Sequence, residues 1–445
     1  MSKNSQAYSS FLDSAFAIMQ REIFIYFLNI ITGIIIARTL GPELLGVWVL
    51  LTLVSAYAEG FGRLKTDQSS VYIIGNGKVE PEKVLFSTTI FACVTSLSIV
   101  FILNFYFDSA LNFLFRETSY DVVNEFFFLI LLIPFEFLLI NLSYFFIAME
   151  NVLIYNRLKV LQSLINFAVM VALILFLELG IWALIIARFA SIFLPLVYAW
   201  LKLNTENWIK LRDRWDSSLT FAILQYATNF YFIGIIGTIN RLTIKSIAAL
   251  SLNTSQLAFY NQGEAGSRLM NVIPNSISII LYPKISKLDE EQLSVEIALT
   301  SFRVTLLLLS FVGLVLYLFA NPLVIFAYGI DFIPTAHVLK IAIPGVIIGS
   351  TCLSLQPFFE GRGIANLIPK LQIGPVIFQI ILSYYLILNM GLVGAAYSFS
   401  LGSALYGMAI LIAFVKINKL SFTRFAPQTS DVKLIYNILK SKIIS

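Results

Sequence analysis

Among the charged residues inside stretches of this chain that are otherwise apolar, nine stand out: Arg21, Glu22, Glu136, Arg188, Arg241, Lys245, Glu264, Arg268 and Arg303. An ion in hydrocarbon is costly, so each needs a partner, water or a function. Glu264 and Arg268 are four apart, share a helix face and can pair. Their pairing would be either structural or part of a site. Arg241 and Lys245 are also four apart but of one sign, so they repel unless an anion or Glu264 lies near. Snorkelling to head groups is the competing explanation for both, as it is for Arg21 and Arg303 toward the other side. Arg188 and Glu136 lie away from the ends of their stretches and are harder to relieve that way. A solid bundle would not tolerate this set, whereas a water-filled cavity would. Within the apolar stretches cations outnumber acids by 10 to 7. Such a cavity favours an anion, and arginine forks suit phosphate in particular. Asn261 heads a group of amides with Asn29, Asn166, Gln225, Asn229, Asn240, Gln256, Gln262, Asn271 and Asn275. Amides bond sugar hydroxyls, and they also glue helices together.

The elements that must carry these residues follow from composition. Of 445 residues, 58% are hydrophobic and only 12% charged, about half the charge of an ordinary soluble domain. A soluble enzyme of this size would need more polar surface, so the chain reads as an all-α integral membrane protein. Spans need about 20 apolar residues. Twelve stretches qualify: 12–39, 43–62, 84–107, 124–148, 158–177, 181–201, 218–250, 255–282, 297–320, 333–359, 368–388 and 391–415. Runs such as FFFLILLIPFEFLLI lack the two-residue alternation of a membrane β-barrel. Pro134, Pro274 and Pro344 fall inside spans, as kinks of a moving bundle or the shape of a static one. Nineteen of the 30 Lys and Arg residues fall in one set of connections and a single one, Arg116, in the other. That asymmetry puts both termini in the cytoplasm. The domain reading is a six-helix lobe over 1–207, a second over 208–415 and a basic tail over 416–445. The tail, with Lys416, Lys419, Arg424, Lys433, Lys440 and Lys442, either rests on anionic lipid or is simply solvated.

Weak echoes relate the two halves. Glu178-Leu-Gly-Ile-Trp182 returns as Asn389-Met-Gly-Leu-Val393, and Phe145-Phe146 returns as Phe358-Phe359. Chance similarity of apolar segments is the alternative to a duplicated six-span unit, an arrangement used by transporters. Enzymatic constellations are poor. His337 is the single histidine, Cys93 and Cys352 look like packing residues, and no phosphate-binding loop ends in GKS or GKT. No metal or cofactor is called for, and the net charge of +5 gives no reason to invoke nucleic acid.

The stretch 37–48, ARTLGPELLGVW, resembles the signature joining the first two spans of polysaccharide flippases. Residues 240–283 resemble its second-half counterpart, and 324–345 with Glu360-Gly361-Arg362 resemble later spans. The family is that of O-antigen and polysaccharide flippases, within the multidrug/oligosaccharidyl-lipid/polysaccharide (MOP) exporter superfamily. The resemblance implies twelve helices in two six-helix lobes around a central cavity. It implies an inner-membrane protein that moves undecaprenyl-diphosphate-linked oligosaccharide to the outer leaflet. Membrane lipids and other polysaccharide assembly proteins would be its partners, and an H+ or Na+ gradient a possible drive. Asn240 departs from the acid usual there, which puts a coupling role for that position in doubt. The charges and amides within the spans, together with the anionic substrate the resemblance implies, make Arg188, Arg241, Lys245, Arg268, Glu264, Arg21, Arg303 and Asn261 the expected substrate-binding residues. The alternative is an ion-coupled multidrug antiporter, although such cavities tend to be acidic.

Overall fold

The computed structural model describes residues 3–77, 79–116, 118, 120–205, 216–286, 288, 290–429 and 431, with backbone alone for 3–19, 229, 233, 279, 280 and 283. The expected tail residues Lys433, Lys440 and Lys442, and the side chain of Asn229, lie outside the described residues. The described chain is helical, with no strand among the described residues. Among the described residues nine helices are long and apolar enough to cross a membrane. In lipid every backbone polar group must be bonded internally, so uninterrupted helix is the form such runs take. Large apolar side chains face outward along them, among them Phe101, Phe176 and Phe326, the last two at 82% and 80% exposure. This is a multi-pass membrane protein, and that surface is the one lipid covers.

Nine helices become twelve rods on closer inspection. Lys3–Tyr57 bends at Gly41, which has φ 71° and precedes Pro42. Leu367–Asn418 bends at Gly391, with φ 55°. Only glycine enters these conformations without strain. A further segment, Thr254–Arg268 and Val272–Ser286, is broken by a 3-10 turn over Leu269–Asn271. Pro274 explains the break, because it lacks the N–H that would continue the ladder. Rods are found over the twelve expected stretches, with several ends moved. The ninth runs over Glu291–Tyr328 rather than ending near 320, and carries Pro322 inside it. The apolar residues Leu323–Phe326 beyond that proline prolong the helix in a solvent that offers its backbone no alternative partner. Asp216 shows how a helix starts at the polar boundary. Its Oδ1 accepts from the Ser218 hydroxyl and from the N–H groups of Ser218 and Leu219, an N-cap. The Ser218 hydroxyl bond, above all, holds its carboxyl below the usual range.

The chain divides into two compact units, Met1–Thr238 with Asn253–Ser255, and Ile239–Leu252 with Gln256–Ser445. Each repeats turns of the other. Gly180 and Gly391 share φ +55°, 211 positions apart. Glu150 and Gly363, 213 apart, both take positive φ within turns bonded alike. Asn151 N–H donates to Phe146 O, and Ile364 N–H to Phe359 O. These turns, not the surrounding apolar residues, are what the sequence echoes mark.

In the first unit the end of the second rod unwinds into a π turn, Ala58–Gly62. Tyr231 Oη donates to the carbonyl of Phe61 at 2.9 Å. Arg63 follows and bonds Glu59 at 2.8 Å as well as the buried Asp67. In the second unit Ile333–Leu353 packs along the rod after Gly391, through glycines at 345, 349 and 407 whose Cα atoms lie against backbone. An aromatic cluster of Phe302, Phe358, Phe359, Phe414 and Phe425 closes one end.

Candidate functional site

In the second unit the expected residues converge. Asn240, Arg241 and Ile244 occupy one face of the last turns of Ser217–Ser251. Tyr260, Glu264 and Arg268 recur every four residues along Thr254–Arg268, so they line up on one face. Together with Ser350, Gln379 and Tyr406 these residues line a cavity of about 240 Å³. Glu264 is buried and central. Its Oε1 accepts from Arg268 Nε at 2.8 Å and Nη2 at 2.7 Å. Lys245 Nζ stands 3.3 Å from Oε2 but gives its hydrogen bond to Asn261 Oδ1 at 2.8 Å. Oε2 itself accepts no hydrogen bond among the described residues. The like-charged pair Arg241 and Lys245 is therefore relieved on one side only. Arg241 is exposed to the cavity and makes no ion pair or hydrogen bond among the described residues. The Arg268 guanidinium also lies over the Phe399 ring, 5.0 Å from its centroid.

Counting charges gives the site its sign. Lys245 and Arg268 pair with one carboxylate and Arg241 lines the same cavity, which leaves a surplus of positive charge in a wall of amides and hydroxyls. Arginine forks preorganised in this way bind a phosphate oxygen pair.

The other expected residues lie elsewhere. Arg188, in the first unit, donates from Nε to Glu136 Oε1 at 2.7 Å. The two line a cavity of about 300 Å³ with Asn29, Asn166, Gln162 and Lys159. An adjoining cavity of about 270 Å³ shares Glu136, Lys159, Gln162 and Arg188 and adds Glu59 and Tyr144. Arg21 is buried in the same unit, bonded to Asn156 Oδ1 at 2.8 Å and to Glu22, and stacked on Tyr155. Arg303 lines none of these cavities. Its Nε donates to the buried Asp431 at 2.8 Å and its Nη1 to the carbonyl of Arg424 at 3.0 Å. It fastens the segment after the last rod to the bundle, so its guanidinium is engaged in packing.

Lys159 is the residue that sequence reasoning passed over. It stands second in the expected stretch 158–177, at the very edge of that stretch. The helix in fact begins at Val152, which carries Lys159 about 10 Å further in at 1.5 Å per residue. It makes no ion pair among the described residues. Gln379 and Tyr406 were missed for a different reason: isolated polar residues in apolar runs carry no periodic signal. Among the described residues no cluster of three or more His, Cys, Asp or Glu could hold a metal.

Comparison with known proteins decides the family. The profile of a family described as polysaccharide biosynthesis protein matches residues 35–337. The chain belongs to that family. No curated protein sequence matches it. Among solved structures it is similar to the lipid II flippase MurJ in an inward closed conformation, with TM-score 0.74 and 16% identity over 91% of this chain and 88% of that one. An inward-facing multidrug resistance MATE family transporter of the MOP superfamily superposes with TM-score 0.66 and 15% identity, over 89% and 96%. A MOP superfamily transporter from Pyrococcus furiosus, noted for a binding pocket of reversed polarity, gives TM-score 0.62 and 16% identity over 92% and 95%. The fold of this family member is that of the MOP transporters.

Proposed function

We propose that this protein flips an undecaprenyl-diphosphate-linked oligosaccharide, such as an O-antigen or capsule repeat unit, across the bacterial inner membrane. The observation that carries the reading is the second-unit cavity. Arg241 makes no ion pair or hydrogen bond among the described residues, and Arg268 shares one carboxylate with Lys245. The diphosphate binds these two guanidiniums, and Glu264 competes with it for Arg268. That competition keeps binding reversible, because each released anion is replaced by the carboxylate. The likeness to a protein named as a lipid II flippase and membership of a polysaccharide biosynthesis family support it. Transport proceeds by alternating access, and its direction comes from differential binding to the two states, with an H+ or Na+ gradient as the drive. The two six-helix repeats run over 1–207 and 208–415.

A deletion strain is expected to accumulate the lipid-linked oligosaccharide on the cytoplasmic face. Accessibility of the glycan to an impermeant lectin or label in inside-out vesicles measures it. Normal distribution in the deletion strain, with altered drug resistance instead, would favour the antiporter reading.

Orientation is testable separately. Nineteen basic residues against one across the two sets of connections put both termini in the cytoplasm. Reporters fused after Tyr120 and Ile330 are expected outside, and those after Lys78, Asp213, Glu291 and the C-terminus inside. A periplasmic C-terminus would break the even span count. Tyr120 Oη donates to Glu125 at 3.0 Å, and burial, then this bond, pushes the phenol up to about 12.

A further inference from the structure

The first unit carries a groove on its lipid-facing side that the cavities above do not include. It has a volume of about 630 Å³ and is mostly apolar, with Phe24, Leu153, Val160 and Leu161 along it and Arg21, Asn156 and Arg157 at its polar end. Phe24 and Leu153 are exposed, the latter at 60%, as a wall meant for hydrocarbon would be. The polar end has an uneven charge balance. Arg21 is neutralised by Glu22, yet its Nε is buried with no acceptor among the described residues. Arg157 is exposed and makes no ion pair or hydrogen bond among the described residues. Lys202 lies by the same end, 6.0 Å above the ring of Tyr198, which also lines the groove.

We propose that this groove binds one anionic phospholipid of the surrounding bilayer. Its phosphodiester meets Arg157 and Arg21, and an acyl chain lies over Phe24, Leu153, Val160 and Leu161. Charge complementarity selects the occupant. Among the groove-lining residues Arg157 is the cation without a counter-charge, Arg21 being offset by Glu22, and Lys202 stands beside the lining over Tyr198, so the polar end carries a positive surplus that an anionic head group meets. The apolar wall distinguishes a lipid from free phosphate, which would gain nothing there. The Asn156 amide, already accepting from Arg21, keeps N–H donors for a second phosphate oxygen.

The test uses the full chain, extracted and delipidated, with phosphatidylglycerol or phosphatidylcholine of the same acyl chains added. Retained lipid is counted by native mass spectrometry. One phosphatidylglycerol is expected to be held in preference by about fivefold, the ratio that about 1 kcal/mol per surface cation gives. Arg157→Gln is expected to erase the preference, with the melting temperature in lipid-free detergent unchanged. Val160→Trp fills the groove and is expected to remove the retained lipid whatever its head group. Lys370→Gln, at an exposed cation of the second unit that does not line the groove, is expected to change nothing. Equal retention of the two lipids, or equal loss with Lys370→Gln, would overturn the proposal in favour of diffuse surface charge. Displacement of phosphatidylglycerol by an equimolar sugar-free undecaprenyl diphosphate would overturn it too, since the groove would then serve the carried lipid.

Discussion

Arg241→Ala is expected to abolish surface polysaccharide while the protein accumulates and melts as the wild type does. The reason is its lack of partners. Arg241 makes no ion pair or hydrogen bond among the described residues, so its removal orphans nothing. What is lost is a charge-assisted contact to substrate, worth about 1.5–3 kcal/mol. That is about tenfold to a hundredfold in affinity. Arg241→Lys keeps the charge without the planar fork and should restore part of the export. Arg188→Ala makes the contrast. Glu136, its partner at 2.7 Å, is left with 13% of its side chain exposed. Removing one member of a buried pair costs up to about 3–5 kcal/mol, so this variant should lose protein as well as export. Glu264→Ala should go the other way in binding, holding the diphosphate more tightly and releasing it more slowly. Immunoblots, thermal melts and surface glycan staining read all three. Export intact in both Arg241→Ala and Arg268→Ala would remove the diphosphate from this cavity and leave the fold untouched.

The contrast between Arg241 and Arg303 shows what a sequence can and cannot convey about such a site. Both are arginines within apolar stretches, and composition treats them alike. Arg303 is engaged by Asp431 and by the Arg424 carbonyl, more than a hundred positions away in a segment that reads as a solvated tail. Only the fold brings that partner in. Glu264 was legible because its partner Arg268 sits one helical turn along, and local spacing is visible in a sequence. Its second contact, Lys245, was visible only as a like-charge conflict demanding some acid nearby. Span positions were legible because the bilayer imposes a length. The bends at Gly41 and Gly391 were implied by polar or glycine breaks between stretches. Span ends were not, since apolar residues such as Leu323–Phe326 prolong a helix through a proline, and Val152–Arg157 begin one before its apolar core. The second of these errors hid Lys159.

Gly345→Val is expected to be among the most damaging single substitutions outside any binding role. A Cβ at this position would stand 1.9 Å from the carbonyl oxygen of Ser400, and one at Gly349 would stand 2.3 Å from that of Ser403. Gly345 and Gly349 are four apart, so they form one small-residue face that lets two backbones touch, a packing mode common between membrane helices. The obstacle is backbone on the facing rod. No rotamer change and no truncation of Ser400 relieves it, and the rods must separate along their whole contact. Gly345 N–H also donates to Ser400 Oγ at 3.1 Å, and separation would leave that buried donor unmet. Such a change belongs to the extreme class of point mutations, above about 4 kcal/mol. The expected result is loss of the monodisperse peak in size-exclusion chromatography of the extracted protein. Gly402→Ala tests the explanation, because its nearest neighbour is the side chain of Gln379 at 2.8 Å. A side chain can rotate, so this variant should fold, and its defect should lie in export, since Gln379 lines the second-unit cavity. Gly237→Ala, with nothing within 4 Å of the added carbon, should stabilise its helix by about 0.5–1 kcal/mol. Equal yields of Gly345→Val and Gly237→Ala would show that the close approach of the two rods is not what holds the second unit together.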